Sequence, residues 1–293
     1  MPSRKPSKPK PLKQTSTGIA SVDALSVDPS PTLQTYLNAV SEYVRDAPTR
    51  LASPAKGAQI ALSSGLGRVL RSELVAKVPR MDPHAGELNV AGALRTARAD
   101  VSEAHHLDGL RLAVEIKPVN LAVGRAIWNR FGDVRAFAVN IHLKFPFAVV
   151  GGVLAVPTWE WAKETKAMSM AAAEATGVAD DLGDSDDAVA EGDEDVDEAD
   201  ETEDLAATAA VDPAALYKKS TLPLVNRLIT RLQRTRRRET EADAAHLLEA
   251  VAVIVYDPDT GELSPDLPPP GSDLRWDEFV TALAETYDVR FED

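Results

Sequence analysis

The sequence predicts an α/β protein in which a mixed sheet is flanked by helices and interrupted by a disordered acidic insertion. Two continuous apolar runs of strand length, residues 147–156 and 248–256, are typical of strands covered on both faces. Apolar residues recur at helical spacing before and between these runs. Of the 293 residues, 44% are apolar, which is enough to bury a sizeable core.

The first predicted segment, residues 1–31, is a disordered basic tail. Its first thirteen residues hold five Lys or Arg and no acid, interleaved with Pro and Ser. Such a composition cannot bury enough apolar surface to order itself. A solubilising terminus and a loose phosphate-binding arm are both consistent with it.

Residues 32–174 form the first part of the predicted domain and open with two helices. The first begins at Thr32, and the second covers residues 58–78 before Pro79. Strands are expected over residues 87–94, 97–104 and 110–117. An Asp108-Gly109 turn predicts that the last two form a hairpin, because Asp-Gly readily supplies positive φ angles. A helix over 121–143, the 147–156 strand and a short helix over 159–175 follow.

An acidic block dominates the predicted disordered insertion, residues 175–209. Residues 180–204 contain fifteen Asp or Glu and no Lys or Arg, so the net charge of −14 would be about +1 without them. This density of like charge, with almost no large apolar residue, predicts disorder. The block could serve as a tethered DNA mimic or as a solubilising loop.

The second part of the domain, residues 210–293, is predicted to begin with a helix from Asp212-Pro213 to Arg238. The 248–256 strand and a last helix capped by Asp273 complete the chain. The first of these helices would align four cations at spacings of four, three and four: Arg227, Arg231, Arg234 and Arg238. A stripe of one sign is typical of a DNA-binding helix and also of an ordinary solvated face.

Two carboxylates and a lysine are expected to meet on the predicted hairpin. Glu115 and Lys117 leave the same face of their strand, and the hairpin folds Asp100 back beside Glu115. Paired carboxylates repel unless a cation lies between them, and hard oxygen ligands with water select Mg²⁺. A lysine beside a metal-bound water can orient it or help to deprotonate it. These groups predict a phosphodiester hydrolase.

The spacing of Asp100, fourteen intervening residues and Glu115-Ile116-Lys117 resembles the PD-(D/E)XK nuclease superfamily, typified by type II restriction endonucleases. The resemblance implies a restriction-endonuclease-like fold in which Asp100, Glu115 and the Ile116 carbonyl bind Mg²⁺ and Lys117 acts on the attacking water. It also implies that a glutamate on the preceding helix, Glu73, joins the site.

The specificity of this motif lies in its context. Glu-x-Lys occurs a second time, as Glu164-Thr165-Lys166, in a stretch that is predicted to be helical. Ala99 stands before Asp100 where the superfamily pattern has proline. The resemblance covers residues 58–156 and extends to the returning helix and strand up to residue 256. The alternative is that Glu115 and Lys117 form a solvated strand face.

The resemblance implies a Mg²⁺-dependent endonuclease that cleaves double-stranded DNA and acts as a homodimer. Asn120 and Arg125, just after the third strand, would contact DNA at the edge of the cleft together with the four arginines. A catalytically silent DNA-binding or protein-interaction module, in a defence or repair assembly, is the alternative. RNA or branched DNA is a further alternative substrate.

The composition also bears on the compartment and the membrane. The chain has no cysteine, so it has neither a disulfide framework nor a Cys-based zinc site. No apolar run approaches the roughly 20 residues that a membrane span needs. A cytoplasmic protein with no membrane partner is expected.

Overall fold

The computed structural model describes residues 16–49, 52–163 and 216–292. Its helices are α1 Ala20–Val27, α2 Leu33–Arg45, α3 Ala52–Lys77, α4 Val123–His142, α5 Leu222–Gln233 and α6 Trp276–Phe291. Its strands are β1 Leu88–Ala91, β2 Thr96–Ala99, β3 Val101–His105, β4 Gly109–Pro118, β5 Val149–Pro157, β6 Trp159–Lys163, β7 Leu216–Ser220, β8 Ala250–Asp257 and β9 Glu262–Leu263.

A five-stranded mixed sheet in the order β3-β4-β5-β8-β9 forms the centre of the fold. Strands β4, β5 and β8 are parallel, and β3 and β9 pair antiparallel at the two edges. Two small two-stranded sheets, β1-β2 and β6-β7, lie outside it. The mixed α/β class is therefore confirmed, and β5 and β8 coincide with the two apolar runs.

The central sheet is covered by helices on both faces. Side chains alternate along β5, so that Val149 and Val153 join one buried cluster while Val150 and Leu154 join the other. Helices α1, α2, α3 and α6 cover the first face, and α4 and α5 cover the second. This double cover explains why the central strands are apolar on both sides.

Two adjacent glycines let helices approach both faces of β5. A Cβ placed on Gly151 would lie 3.2 Å from side-chain atoms of Phe279 and Leu283 on α6. A Cβ on Gly152 would overlap the side chain of Val134 on α4. The two glycines therefore set how closely α6 and α4 pack on the sheet.

Gly152→Ala is expected to destabilise the protein by about 1–3 kcal/mol, because the new methyl group overpacks a buried contact. Urea unfolding measures this loss. Gly132→Ala is the matched control, since a Cβ at that position on α4 meets nothing within 4 Å. The control should be neutral or stabilising, by up to about 1 kcal/mol. Equal unfolding midpoints for Gly152→Ala and the wild type would contradict the packing argument.

Helix α1 lies within the segment that the sequence predicts as a tail, so that prediction is wrong for residues 16–31. Val22 and Leu25 are fully buried, and Leu25 packs against Gly65 on α3. The Asp23 carboxylate accepts a hydrogen bond from the Thr17 backbone N–H at 2.8 Å. A short helix of weak pattern is thus held by tertiary packing. Residues 1–15 lie outside the described residues.

The helices predicted immediately before and after the acidic segment differ from the structure. The stretch that begins at Trp159 forms strand β6, and it pairs with β7 where the next helix was expected. Helix α5 begins only at Leu222 and ends at Gln233. The last helix is capped at Arg275 and not at Asp273. The predicted insertion, residues 175–209, lies outside the described residues.

Among the helices that the structure describes, none is both long enough and apolar enough to cross a membrane.

Candidate active site

A cleft of about 200 Å³ opens at the carboxyl end of β4. Helix α3 contributes one wall, and the turn that leads into α4 contributes another. Its charged and polar lining residues are Lys56, Gln59, Ser63, Glu87, Arg98, Asp100, Glu115, Lys117, Asn120 and Arg130. The structure thus brings Asp100, Glu115 and Lys117 into one cleft.

Asp100 stands at the single-residue break between β2 and β3, which divides the predicted 97–104 strand. Its backbone N–H donates to the Val114 carbonyl at 3.0 Å, and its Oδ2 accepts from the Ile116 backbone N–H at 2.6 Å. Ser63 on α3 donates to Oδ1 at 3.4 Å. These bonds hold the carboxylate against β4 beside Glu115.

Glu115 and Lys117 form an ion pair on the face of β4 that is turned toward α4. Lys117 Nζ lies 2.7 Å from Glu115 Oε1, and the two side chains are 21% and 10% exposed. The low exposure excludes the alternative of a fully solvated strand face. A partly buried ion pair is held more firmly than an exposed one, because the surrounding dielectric constant is lower.

The charges in the cleft are strongly coupled. Burial, followed by the negative charge of Glu115, raises the pKa of Asp100 to about 7. Burial alone would lower the pKa of Lys117, but the charge of Glu115 and the hydrogen bond to it raise that pKa instead. Near neutral pH, Lys117 is therefore a charged ammonium group, and the Asp100 carboxyl group is only partly ionised.

Asp100→Asn is expected to stabilise the metal-free protein at pH 8 by on the order of 2–4 kcal/mol, because it removes a charge that burial disfavours. The folded-state pKa is raised, so the gain should be absent below about pH 4 and grow as pH rises toward 7. Thermal unfolding in EDTA at several pH values measures it. Asp266→Asn, at an exposed position, is the control and should change little. A gain that does not depend on pH would contradict the argument.

The donor set of the cleft fits Mg²⁺. Asp100 and Glu115 offer carboxylate oxygens, and Ile116 lines the same cleft. Mg²⁺ is usually bound by one or two carboxylates, with water and substrate phosphate as the remaining ligands. Within the described residues, no three His, Cys, Asp or Glu side chains converge as a complete ligand set. The repulsion that raises the pKa of Asp100 is one that a divalent cation would relieve.

Glu73 does not reach this cleft, so its predicted place in the site is wrong. Its Oε2 accepts a hydrogen bond from the Trp276 indole N–H at 2.8 Å. Glu73 lies ten residues beyond Ser63 on α3, which is about 15 Å along the helix axis. Its side chain therefore ties α3 to α6.

Glu87 is the third acidic residue of the cleft, and the motif formed by Asp100, Glu115 and Lys117 does not include it. It directly precedes β1, and the pairing of Leu88 with Ala99 places it next to Asp100. Its charge contributes to the raised pKa of Asp100, and it forms an ion pair with Arg98. Antiparallel pairing of the first two predicted strands was the signal that could have found it.

Asn120 and Arg125 differ in their relation to the cleft. Asn120 lines it, but only 4% of the residue is exposed, and its Oδ1 accepts a hydrogen bond from the Tyr256 hydroxyl at 3.1 Å. That bond fixes the start of the turn after β4. Arg125 is exposed on the first turn of α4 and is not among the cleft-lining residues.

The four predicted DNA-binding arginines do not share one face. Arg227 and Arg231 are exposed on α5, and Arg234 is exposed just after its end. The prediction that Arg238 contacts DNA is wrong, because only 4% of the residue is exposed. Its guanidinium donates hydrogen bonds to the Pro146 carbonyl at 2.8 Å and to Glu249 at 3.3 Å. The helix ends before it, and the chain turns it inward.

Arg238 belongs to a buried ion cluster at the amino ends of β5 and β8. Glu249 lies at its centre, and its Oε1 is 2.7 Å from Arg290 and 3.3 Å from Arg238. Its Oε2 is 3.2 Å from His142 Nε2 and accepts from the Val150 backbone N–H at 2.9 Å. Burial would raise the pKa of Glu249, but His142 and Arg290 hold it below its ordinary value.

The fold and the site together define a mixed α/β protein with a carboxylate–lysine cleft at the end of a central strand. Compared with known proteins, the chain matches no family model, no curated protein and no solved structure.

Proposed function

We propose that the protein is a Mg²⁺-dependent endonuclease that hydrolyses phosphodiester bonds in double-stranded DNA, with a fold and site of the PD-(D/E)XK, type II restriction endonuclease kind. The observation that supports this most is the meeting of Asp100, Glu115 and Lys117 in one cleft. The hydrogen bond from the Ile116 N–H to Asp100 joins the two halves of the motif at 2.6 Å.

The order of elements around the cleft supports the same proposal. Helix α3 precedes the β3–β4 hairpin, and α4 then crosses to the parallel strand β5. This is the order of helix, hairpin, helix and strand on which the sequence resemblance rests. Asp100 stands at the start of the hairpin, and Glu115 and Lys117 stand near its end.

Each residue of the site has a defined chemical role in this proposal. Asp100 and Glu115, with the Ile116 carbonyl, would hold Mg²⁺. When bound, Mg²⁺ supplies Lewis-acid stabilisation of phosphoryl oxygen and lowers the pKa of a water ligand. Lys117 keeps its proton because its pKa is raised, so it acts as a cation that orients the attacking water and stabilises developing negative charge.

Three cations line the cleft in addition to Lys117. Lys56 and Arg98 are exposed, and Arg130 is a partly buried residue of α4. Positive charge around a pair of carboxylates suits a substrate whose phosphates flank the reacting one. A homodimer would place two such clefts on one duplex and allow both strands to be cut.

Incubation of the full chain with unmethylated phage DNA tests the proposal. Discrete fragments are expected with Mg²⁺ and none with EDTA. Binding of the duplex without any cleavage, with either Mg²⁺ or Mn²⁺, would overturn the proposal and favour the catalytically silent binding module.

A further inference from the structure

Two arginines lie over the ring of a half-buried tryptophan on α4. The α4–α5 surface is defined here as Trp128, Arg227, Arg231 and Arg234. The guanidinium of Arg227 lies 5.7 Å from the centroid of the Trp128 ring, and that of Arg231 lies 5.6 Å from it. Trp128 is half-buried, whereas the three arginines are exposed.

Among the residues that the structure describes, no acidic side chain pairs with the cations of this surface. Helix α5 contains no Asp or Glu. Within the described residues, Arg227, Arg231 and Arg234 form no ion pair with an acid, whereas the nearby Arg236 pairs with Glu239 and Asp243. Stacking on an aromatic ring restrains a guanidinium while its N–H groups stay available. The surface is thus arranged in advance for an anionic partner.

The surface and the cleft share helix α4. Ala122 lines the cleft and immediately precedes α4, and Trp128 follows six residues later, about 9 Å along the helix axis. A Cβ on Gly124 would lie 3.8 Å from Leu224, so α5 begins beside the cleft end of α4. Trp128 and the cleft-lining Arg130 are two residues apart, about 160° around α4, so a polyanion that contacts both the cleft and these arginines must pass around this helix.

We propose that the α4–α5 surface binds the DNA backbone outside the cleft, at phosphates beyond the one that reacts. This inference rests on the proposed endonuclease function and narrows its substrate to duplexes long enough to reach both places. Arg227 and Arg231 supply the phosphate contacts, and Trp128 is a positioning residue that holds their guanidinium planes.

Length-dependent binding in EDTA tests this inference without any contribution from cleavage. The ligands are a duplex of about 20 base pairs and a hairpin with a stem of about 5 base pairs. Arg227→Ala with Arg231→Ala should weaken binding of the long duplex on the order of tenfold and lower its salt slope by about 1.8, as expected for two lost phosphate contacts. Binding of the short stem should change much less. Trp128→Leu should weaken long-duplex binding while the net charge stays the same.

Arg236→Ala is the matched control, because it removes a neighbouring cation that is already paired with acids. It should leave the affinity and the salt slope of the long duplex unchanged. Equal losses for Arg236→Ala and Arg231→Ala would overturn the inference, as would arginine-dependent binding of phosphatidylserine vesicles in preference to DNA. Cleavage in Mg²⁺ is assayed separately. If the double variant cleaves DNA and its binding depends on duplex length as in the wild type, only the role of the α4–α5 surface is rejected. If binding by the wild type depends on duplex length but no cleavage occurs, only the nuclease function is rejected.

Discussion

Replacing Lys117 with alanine is expected to lower the rate of DNA cleavage by a factor on the order of 10³, while binding of duplex DNA changes by less than about threefold. Lys117 is a partly buried ammonium group 2.7 Å from Glu115, so under the proposed function it offers a positioned charge where a phosphoryl group would react. Cleavage is measured with excess protein over a single turnover, and binding is measured in EDTA.

The second Glu-x-Lys copy provides the matched control for this prediction. Lys166→Ala removes the same kind of side chain from the same kind of motif. The Lys166→Ala protein should cleave DNA at the wild-type rate. Thermal unfolding of Lys117→Ala must also be followed, because the substitution takes the ion-pair partner from Glu115. Cleavage at the wild-type rate by folded Lys117→Ala would remove the lysine from the mechanism.

Glu249→Gln is expected to destabilise the protein by about 3–5 kcal/mol, the largest effect on stability that we anticipate. The glutamine keeps the shape of the side chain and can still accept from Val150. It removes the only negative charge in contact with Arg238 and Arg290 among the described residues, and those two guanidinium groups would remain largely buried. Urea unfolding at neutral pH measures the loss.

Glu239→Gln is the control for this substitution, since Glu239 is 69% exposed and pairs with Arg236 at 3.5 Å. An exposed pair should contribute less than about 1 kcal/mol. The folded-state pKa of Glu249 is lowered, so its contribution is present above its ordinary pKa of 4.5 and is lost as pH falls through the folded-state value. The deficit of Glu249→Gln should therefore shrink in acid. A loss below about 1 kcal/mol at neutral pH would contradict the role of the cluster.

The central sheet is the part of the fold that the sequence predicts best, because its signals are local. Strands β5 and β8 are continuous apolar runs, and the turn before β4 has Gly109 at a φ of 75°. Side chains that are buried on both faces must be apolar whatever lies next to them. Such a pattern can be recognised without knowing the neighbours.

The misassigned elements depend on contacts that no local pattern reveals. Residues 159–163 alternate in strand fashion over too short a stretch to outweigh the Ala-rich sequence after them, and their partner β7 is far along the chain. Pro223 in the first turn of α5 was a better start signal than Asp212-Pro213. The spacing of Arg238 from Arg234 was meaningful only for a helix that continued beyond Gln233.

The site residues that strand pairing positions could be predicted from the sequence. The residues that helix packing positions could not. Asp100, Glu115 and Lys117 share a cleft because strand pairing fixes their positions. Glu73 could be excluded from the site only by knowing which end of α3 faces β4. That orientation is set by packing over the whole length of the helix.

The pairing of β6 with β7 has a consequence for how the chain can change in evolution. Lys163 is registered directly opposite Leu216, so these two residues are neighbours although fifty-two residues separate them in the sequence. The entropic cost of closing a flexible connection grows only slowly, by about 0.6 kcal/mol for each doubling of its length. Insertions and deletions at this position therefore leave the strand register intact. The length of the sequence that links these two strands can then change in evolution without altering the cleft.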